Sequence, residues 1–294
     1  MRGGGRSKSA MSSSKKGIAL PVIPSDRGED LHNVSIVDSA DLVLFMAGNQ
    51  FMVMEELLGD FQEQYPEVEK IYYETLPPGL ELKQILAGGA VFGDKILNVF
   101  PDVYASVDIE AMERLEQAGF ISKGGYLLYL HNRLVLMVAK GNPMQISSIS
   151  DLGREEVRIS QPNREYEDIA RYITEMYCQA GGQGLVNRIM EVKRAEGTTI
   201  LTIVHHRETP LRLMKKTVDV GPVWATEIVH AKENGLAVEE VEPGEELDQR
   251  DKVNYYICQL KNASHPENAE KFLQFIASAR AQAIYADHGF VPHF

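Results

Sequence analysis

Cysteine is scarce in this chain, with only Cys178 and Cys258 among 294 residues. The two lie far apart and match no metal-ligand or redox spacing, so the sequence indicates neither a zinc site nor a thioredoxin-type motif. We expect two free thiols, with a single disulfide as the alternative. No apolar run approaches the roughly 18 residues of a membrane-spanning helix, which argues against membrane insertion.

Basic residues are also in the minority, since 30 Lys and Arg face 42 Asp and Glu and give a net charge of -12. Such an acidic surface disfavours non-specific nucleic-acid binding, although a concave site can still be locally positive. The content of 44% hydrophobic and 24% charged residues is typical of a soluble globular protein. The length allows one large α/β domain or two lobes.

The N-terminal segment lacks the apolar stretch of an export signal. Residues 1–37 are rich in Gly, Ser, Lys and Pro and are predicted to be a disordered tail. Their only apolar stretch, residues 17–23, is shorter than a secretory signal needs and contains Pro21. As written, the chain is predicted to carry no export signal; a truncated or mis-started signal stays open.

From residue 41 onward, apolar runs of strand length alternate with helical patterns. Residues 41–47 predict a buried strand, and Phe51, Met54, Leu57, Leu58 and Phe61 then recur at helical spacing. The same order recurs along the chain and predicts an α/β fold with largely parallel sheets. Residues 127–139 form a long apolar stretch broken at Asn132 and Arg133, and we interpret it as an extended segment crossing between two lobes.

The stretch 202–227 places a polar turn between two predicted strands. His205, His206, Arg207 and Glu208 lead into Thr209 and a proline, which predicts a helix start with the Thr209 hydroxyl as its cap. Free N–H groups at a helix N-terminus, two imidazoles and a guanidinium together indicate an anion site. The alternative is an ordinary helix start with exposed histidines, and we favour the anion site.

Other candidate ligand contacts follow predicted strands, and each also has a structural interpretation. Asn49 can donate to an oxyanion or cap a helix, and Thr75 can do either as well. Gly79 can admit close backbone approach or supply a positive φ. Gln50, which opens the same helix as Asn49, is a further candidate. The last two are Arg164, with an exposed surface residue as its alternative, and Trp224, with a core position as its alternative.

No nucleophile motif, phosphate loop or metal-ligand spacing is present, so we expect no enzyme activity, no cofactor and no metal. Adjacent His205 and His206 would point to opposite sides of a strand and would not chelate one metal easily. An isomerase acting on an organic acid remains the alternative, because a histidine beside Glu208 and an arginine could move a proton next to a carboxylate. A soluble ligand sensor is a further alternative.

Seven short motifs occur in one order along the chain. They are Ala47-Gly48-Asn49-Gln50, Pro78-Gly79-Leu80, residues 101–108, residues 132–143, Asp151-Leu152, residues 218–226, and His288-Gly289-Phe290-Val291-Pro292. In this order they resemble the type II periplasmic solute-binding proteins, and most closely the molybdate-binding branch of ABC-transporter receptors.

The resemblance implies two α/β lobes with an anion held between them by strand-to-helix turns. Lobe 1 would comprise residues 38–131 and 254–294, and lobe 2 residues 132–253. It also implies a periplasmic or extracytoplasmic monomer that binds a small anion and works with an ABC permease; a cytoplasmic location is the alternative.

Departures from the family pattern concern the ligand. Molybdate receptors of this kind typically place Ser at the first two turns, where this chain has Asn49 and, approximately, Thr75. Their later Tyr corresponds to Trp224, whose indole donates one hydrogen bond and accepts none. Because the guanidinium fork of Arg207 suits a carboxylate or a phosphate, a bulkier organic acid is the first expectation. Tetrahedral oxyanions such as molybdate, tungstate or sulfate come next.

Overall fold

The computed structural model describes residues 19–107, 109–165, 167, 169–203, 208–244, 247 and 249–294. Within them the chain is organised around two mixed sheets and a small third one. The strands, in chain order, are β1 Val22–Ile23, β2 Leu31–His32, β3 Leu42–Phe45, β4 Ile71–Glu74, β5 Ala90–Phe92, β6 Lys95–Leu97, β7 Val103–Ser106, β8 Leu127–His131, β9 Leu134–Ala139, β10 Ile159–Gln161, β11 Thr199–Leu201, β12 Val220–Trp224, β13 Val238–Val241, β14 Asn254–Gln259 and β15 Val291–Pro292.

Helices follow most of the parallel strands, as the alternating pattern predicts. In chain order they are α1 Met54–Gln64, α2 Pro78–Ala87, α3 Ile109–Gln117, α4 Ile169–Asn187, α5 Lys193–Ala195, α6 Glu208–Met214, α7 Ala225–Glu233, α8 Pro266–Ile276 and α9 Ala279–Asp287. No helix in the described part of the chain is both long enough and apolar enough to cross a bilayer. Cys178 is exposed and Cys258 buried, both as free thiols.

The α/β class is confirmed, but the expectation of largely parallel sheets is wrong. The seven-stranded sheet has the order β15-β8-β14-β7-β3-β4-β2, and the five-stranded sheet β11-β10-β12-β9-β13. Only β7, β3 and β4 in the first and β11, β10 and β12 in the second are mutually parallel. The others pair antiparallel with their neighbours, and among them β8, β9 and β14 adjoin the segments in which the chain passes from one sheet to the other.

The stretch 127–139 crosses between the sheets as predicted. β8 belongs to the seven-stranded sheet and β9 to the five-stranded one, with Asn132 and Arg133 between them. β9 is buried along nearly its whole length, which explains its continuous apolar sequence. We keep as a proposal the division into lobes 38–131 with 254–294 and 132–253, which separates the strands of the two sheets.

The largest buried apolar cluster contains side chains from both sheets and from the helices packed on them. It includes Leu44 and Phe61 from the first sheet and its helices, and Val138 and Tyr177 from the second. Two smaller clusters cover the outer faces, one around Tyr72 and Tyr104 and one around Met137 and Ile228. One continuous apolar core therefore includes residues of both sheets.

The N-terminal prediction needs correction for residues 22–37. Ile23 is 1% exposed, β1 pairs with β5, and β2 pairs with β4. The 3-10 turn Ser25–Asp30 connects β1 to β2, and the 3-10 turn Val34–Ser39 connects β2 to β3 of the seven-stranded sheet. Elements of two to six residues leave no periodic pattern, so composition alone suggested a tail. Residues 1–18 lie outside the described residues.

Gly221 in β12 gives a test of how tightly the second sheet is packed. A Cβ atom there would lie 2.5 Å from Thr209 Cγ2 and 3.0 Å from the Ser160 carbonyl oxygen. We expect Gly221→Ala to lower the free energy of unfolding by about 1–3 kcal/mol, measured by chemical denaturation, because α6 must move off the sheet. Gly59→Ala, at an exposed position of α1 with open space around the new methyl group, is the control and should be neutral or stabilising. Equal stability of Gly221→Ala and the unaltered protein would contradict this packing.

Candidate functional site

Three strand-to-helix turns in each main sheet define the candidate site. They follow the parallel strands β3, β4 and β7 in one sheet and β10, β11 and β12 in the other. In open α/β sheets, ligands bind beyond the carboxyl ends of such strands, where free helix N–H groups gather. The predicted ligand contacts can now be placed relative to these turns.

Asn49 lies in the turn Gly48–Gln50 after β3, and its side chain is only 6% exposed. One amide atom, Nδ2, meets the hydroxyl of Tyr255, and the other, Oδ1, is buried without a partner among the described residues. A buried polar atom with no partner is costly, and ligand binding is one way in which the cost is met. Among the predicted contacts that the structure describes, Asn49 is therefore the one whose side chain retains a buried hydrogen-bonding atom without a partner.

The neighbouring Gln50 faces the core instead. It is fully buried, its Nε2 donates to the Tyr129 hydroxyl (2.7 Å), and its Oε1 accepts from the Tyr285 hydroxyl (2.8 Å). Both ends of its amide are thus held by tyrosines within the first lobe. The structure gives Gln50 a packing role and removes it from the candidate site.

The turn after β4 lies against the Asn49 turn, because a Cβ atom on Gly48 would be 3.0 Å from the Thr75 carbonyl oxygen. The Thr75 side chain itself is fully buried, and its hydroxyl lies 3.0 Å from His32 Nε2. It therefore ties the N-terminal segment to the sheet rather than facing a ligand. Gly79, in the first turn of α2, is exposed and would have open space around a Cβ atom, so its backbone is accessible.

Two buried carboxyl groups, Glu74 and Glu81, hold this second turn. Glu81 Oε1 accepts from the Leu76 N–H (3.1 Å), while Glu81 Oε2 has no partner in the described part of the chain. Glu74 accepts from the Tyr72 hydroxyl (2.7 Å) and from Gln84. Burial raises the pKa of Glu74 to about 7, and burial together with the Glu74 charge raises the pKa of Glu81 well above its usual range.

On the second sheet, α6 is anchored by Thr209 and Arg212. Thr209 lies inside α6, not before it, and its hydroxyl is 2.9 Å from Ser160 Oγ, so it fastens the helix to β10 instead of capping it. Arg212 donates to the Leu201 carbonyl (3.0 Å) and to Glu208 (2.8 Å). Glu208 also accepts from the Ile203 N–H. These bonds frame the entry to and exit from residues 204–207.

His206 and Arg207, the strongest ligand contacts predicted from the sequence, lie outside the described residues, as does His205. Arg164 is exposed in the turn after β10. Trp224 is 3% exposed, directly precedes α7, and packs edge-on against Tyr172 with ring centroids 6.0 Å apart. It is part of the core between β12 and α4.

Residues that the sequence reasoning did not select surround Asn49. Asn132 donates to the hydroxyl of Tyr255 (3.3 Å) and to that of Thr226 (3.4 Å), and all three residues are fully buried. Phe51 packs edge-on against His230 of α7, with ring centroids 5.2 Å apart. Elements of both sheets thus meet beside Asn49. In the sequence, the polar break at Asn132 within an apolar run was a signal for these contacts, whereas Tyr255 shows only the pattern of an ordinary strand residue.

Comparison with solved structures shows the same architecture in bacterial binding proteins. The chain is similar to the periplasmic molybdate-binding protein of Azotobacter vinelandii, with 20% identity, a TM-score of 0.64, and coverage of 85% of this chain and 98% of that one. It is similar to the sulfate-binding protein SubI of Mycobacterium tuberculosis, with 16% identity, a TM-score of 0.64, and coverage of 85% and 86%. It is also similar to Peb3 of Campylobacter jejuni, with 14% identity, a TM-score of 0.63, and coverage of 86% of this chain and 100% of that one.

At these identities the likeness shows the fold, and it confirms the resemblance to type II binding proteins that the ordered motifs indicate. No curated protein matches the chain. The model of the family described as bacterial extracellular solute-binding protein matches residues 42–291, which is most of the chain. With two mixed sheets, paired strand-to-helix turns and this match, the chain belongs to the bacterial extracellular solute-binding protein family.

Proposed function

We propose that this solute-binding protein captures a small organic anion, a carboxylate or a phospho-acid, between its two sheets for ABC-type uptake. The observation that carries the proposal is the buried Asn49 amide, one atom of which has no partner among the described residues, at the carboxyl edge of the first sheet. The accessible backbone of Gly79 lies in the first turn of a helix at the same edge. Helix N–H groups and amide donors suit an anionic ligand.

The charge of the predicted contacts favours an organic acid over a bare metal oxyanion. Arg207 offers a planar fork of donors, which pairs with a carboxylate or a phosphate through two parallel hydrogen bonds. Among the similar structures, PEB3 has been solved with L-phospholactate bound, a ligand that carries both groups. Other similar proteins are named for molybdate and sulfate, which keeps tetrahedral oxyanions as the second choice.

The arrangement around Glu208 favours binding over the isomerase alternative. Its carboxylate accepts from the Ile203 N–H and from Arg212, so it is held by the described residues on either side of 204–207. In the isomerase alternative a histidine beside Glu208 would take the substrate proton, and a Glu208 carboxylate already held by Ile203 and Arg212 is a weaker aid to that histidine. Incubating the candidate acids with the protein in heavy water should therefore produce no exchange of their carbon-bound protons.

A thermal-shift panel tests the proposal directly. A ligand that binds only the folded protein raises its melting temperature. At a ligand concentration a hundred times the dissociation constant, the added free energy of unfolding is about 2.7 kcal/mol. We expect citrate, aconitate or phosphoglycerate to raise it more than molybdate, tungstate, sulfate or phosphate at equal concentration. A shift with metal oxyanions alone would overturn the proposed ligand class, and no shift with any member would overturn anion capture.

A further inference from the structure

A hydrogen-bond network centred on Tyr255 joins the Asn49 turn to the second lobe. Tyr255 in β14 meets Asn49 and Asn132, and Asn132 also reaches the hydroxyl of Thr226 in the first turn of α7. We call Asn49, Asn132, Thr226 and Tyr255 the Tyr255 network. Asn49 lies in the turn after β3 and Tyr255 lies in β14, and both strands belong to the seven-stranded sheet. Asn132 lies at the crossing between the sheets, and Thr226 is in α7, which follows β12 of the five-stranded sheet.

Counting donors and acceptors assigns an orientation to each amide of the network. Asn132 Oδ1 accepts from the Arg133 N–H (2.8 Å), so the atom that Asn132 presents to Tyr255 and Thr226 is its donor, Nδ2. The Tyr255 oxygen then accepts from Asn132 and still has one proton to donate. A half-turn of the Asn49 amide brings its Oδ1 to that proton, and the two orientations have the same shape.

In that orientation the partnerless atom of Asn49 is Nδ2, an N–H donor, which is the group that an anionic ligand needs. If the donation from Tyr255 is lost, nothing in the network distinguishes the two ends of the Asn49 amide. The hydroxyl of Tyr255 therefore decides whether Asn49 offers a donor or an acceptor to the ligand.

We propose that Tyr255 is a positioning residue: its hydroxyl turns the Asn49 amide so that an N–H faces the bound anion, and its bond to Asn132 ties that orientation to the contact between the lobes. This inference rests on the proposed function. A ligand that accepts from Asn49 Nδ2 stabilises the same arrangement as the Asn132 bonds to Tyr255 and Thr226, so binding and lobe contact favour each other.

The test is a double-mutant cycle measured by calorimetric titration, with phosphoglycerate and molybdate as the probes. We expect Asn49→Ala and Tyr255→Phe each to raise the dissociation constant about tenfold, and the double variant to bind no more weakly than Asn49→Ala alone. Tyr129→Phe is the matched control, because it removes another buried tyrosine hydroxyl of the same aromatic cluster that bonds Gln50 rather than Asn49. Its affinity should stay within about twofold of the unaltered protein.

Should Tyr255→Phe fail to fold, Thr226→Val replaces it. This isosteric change removes only the Thr226 end of the network and should raise the dissociation constant about threefold. Additive effects of Asn49→Ala and Tyr255→Phe, or normal affinity in Tyr255→Phe, would overturn the positioning role while leaving anion capture intact. Normal affinity in Asn49→Ala, or no binding of either probe to the unaltered protein, would instead overturn the proposed site, and the positioning role with it.

Discussion

Glu81→Gln is expected to raise the melting temperature at pH 8 by at least about 3 °C and to have a smaller effect at pH 5. The reason is the buried pair Glu74 and Glu81, both fully shielded from solvent in the first lobe. Their pKa values are raised by burial, and the charges of Glu74 and Asp30 raise that of Glu81 further. The folded protein therefore holds protons that the unfolded chain releases.

The sign of the pH dependence follows from this difference. For a carboxyl group with a raised folded pKa, stability is greatest below the unfolded pKa and declines as the pH rises through the folded value. For Glu74 this window runs from 4.5 to about 7. Glutamine has the shape of the protonated acid and no proton to lose, so Glu81→Gln removes the penalty, which is about 1.4 kcal/mol for each pKa unit.

Thermal melting between pH 5 and pH 9 provides the measurement. Glu113→Gln, which removes the same charge from the exposed side of α3, serves as the control and should shift the melting temperature by no more than about 1 °C. A Glu81→Gln variant that is less stable than the unaltered protein at pH 8 would show that Glu81 is ionised and stabilising in the fold, contrary to the effect expected of its full burial.

Arg207→Ala is expected to raise the dissociation constant for an organic anion at least tenfold, or about 1.4 kcal/mol. The guanidinium fork supplies two charge-assisted hydrogen bonds and full charge, and a hydrophobic methyl group replaces neither. Ile203 and Arg212 donate to Glu208, so the described residues on either side of 204–207 meet just after β11, at the carboxyl edge of the second sheet. Calorimetric titration with phosphoglycerate measures the change.

Arg114→Ala is a suitable control, since Arg114 is an exposed arginine in the last turn of α3. Arg114→Ala removes the same net charge and should leave the dissociation constant within about twofold, because salt screens the charge of an exposed side chain that does not contact the ligand. An unchanged affinity in Arg207→Ala would show that Arg207 does not contact the ligand. Equal losses in both variants would point to the overall charge of the protein instead of a direct contact.

Much of the fold could be predicted because its signals are local. The helical spacing of Met54, Leu57 and Phe61 and the apolar strand before them are readable within about twenty residues. The break at Asn132 and Arg133 marked the crossing between the sheets correctly. The short strands β1 and β2 were missed because they contain two residues each, too few for any periodicity.

The direction of the strands and the orientation of single side chains could not be predicted in this way. The strands β8, β9 and β14, which adjoin the passages between the sheets, pair antiparallel with their neighbours, and that path depends on the whole topology. Asn49 and Gln50 are adjacent amides with the same local context. Asn49 has one amide atom without a partner in the part of the chain that the structure describes, whereas Gln50 is bound by Tyr129 and Tyr285, which are 79 and 235 residues away.

The sequence by itself determined the α/β class, the order of the family motifs and the polar composition of the Arg207 loop, because each depends on neighbouring residues. Only the tertiary structure decided that Glu74 and Glu81 are buried together, that Thr75 and Thr209 serve as anchors, and that Tyr255 meets Asn49 and Asn132. Burial and hydrogen-bond partnership are set by segments distant in the chain. The chemistry of each polar side chain in this protein therefore follows from what the fold packs against it.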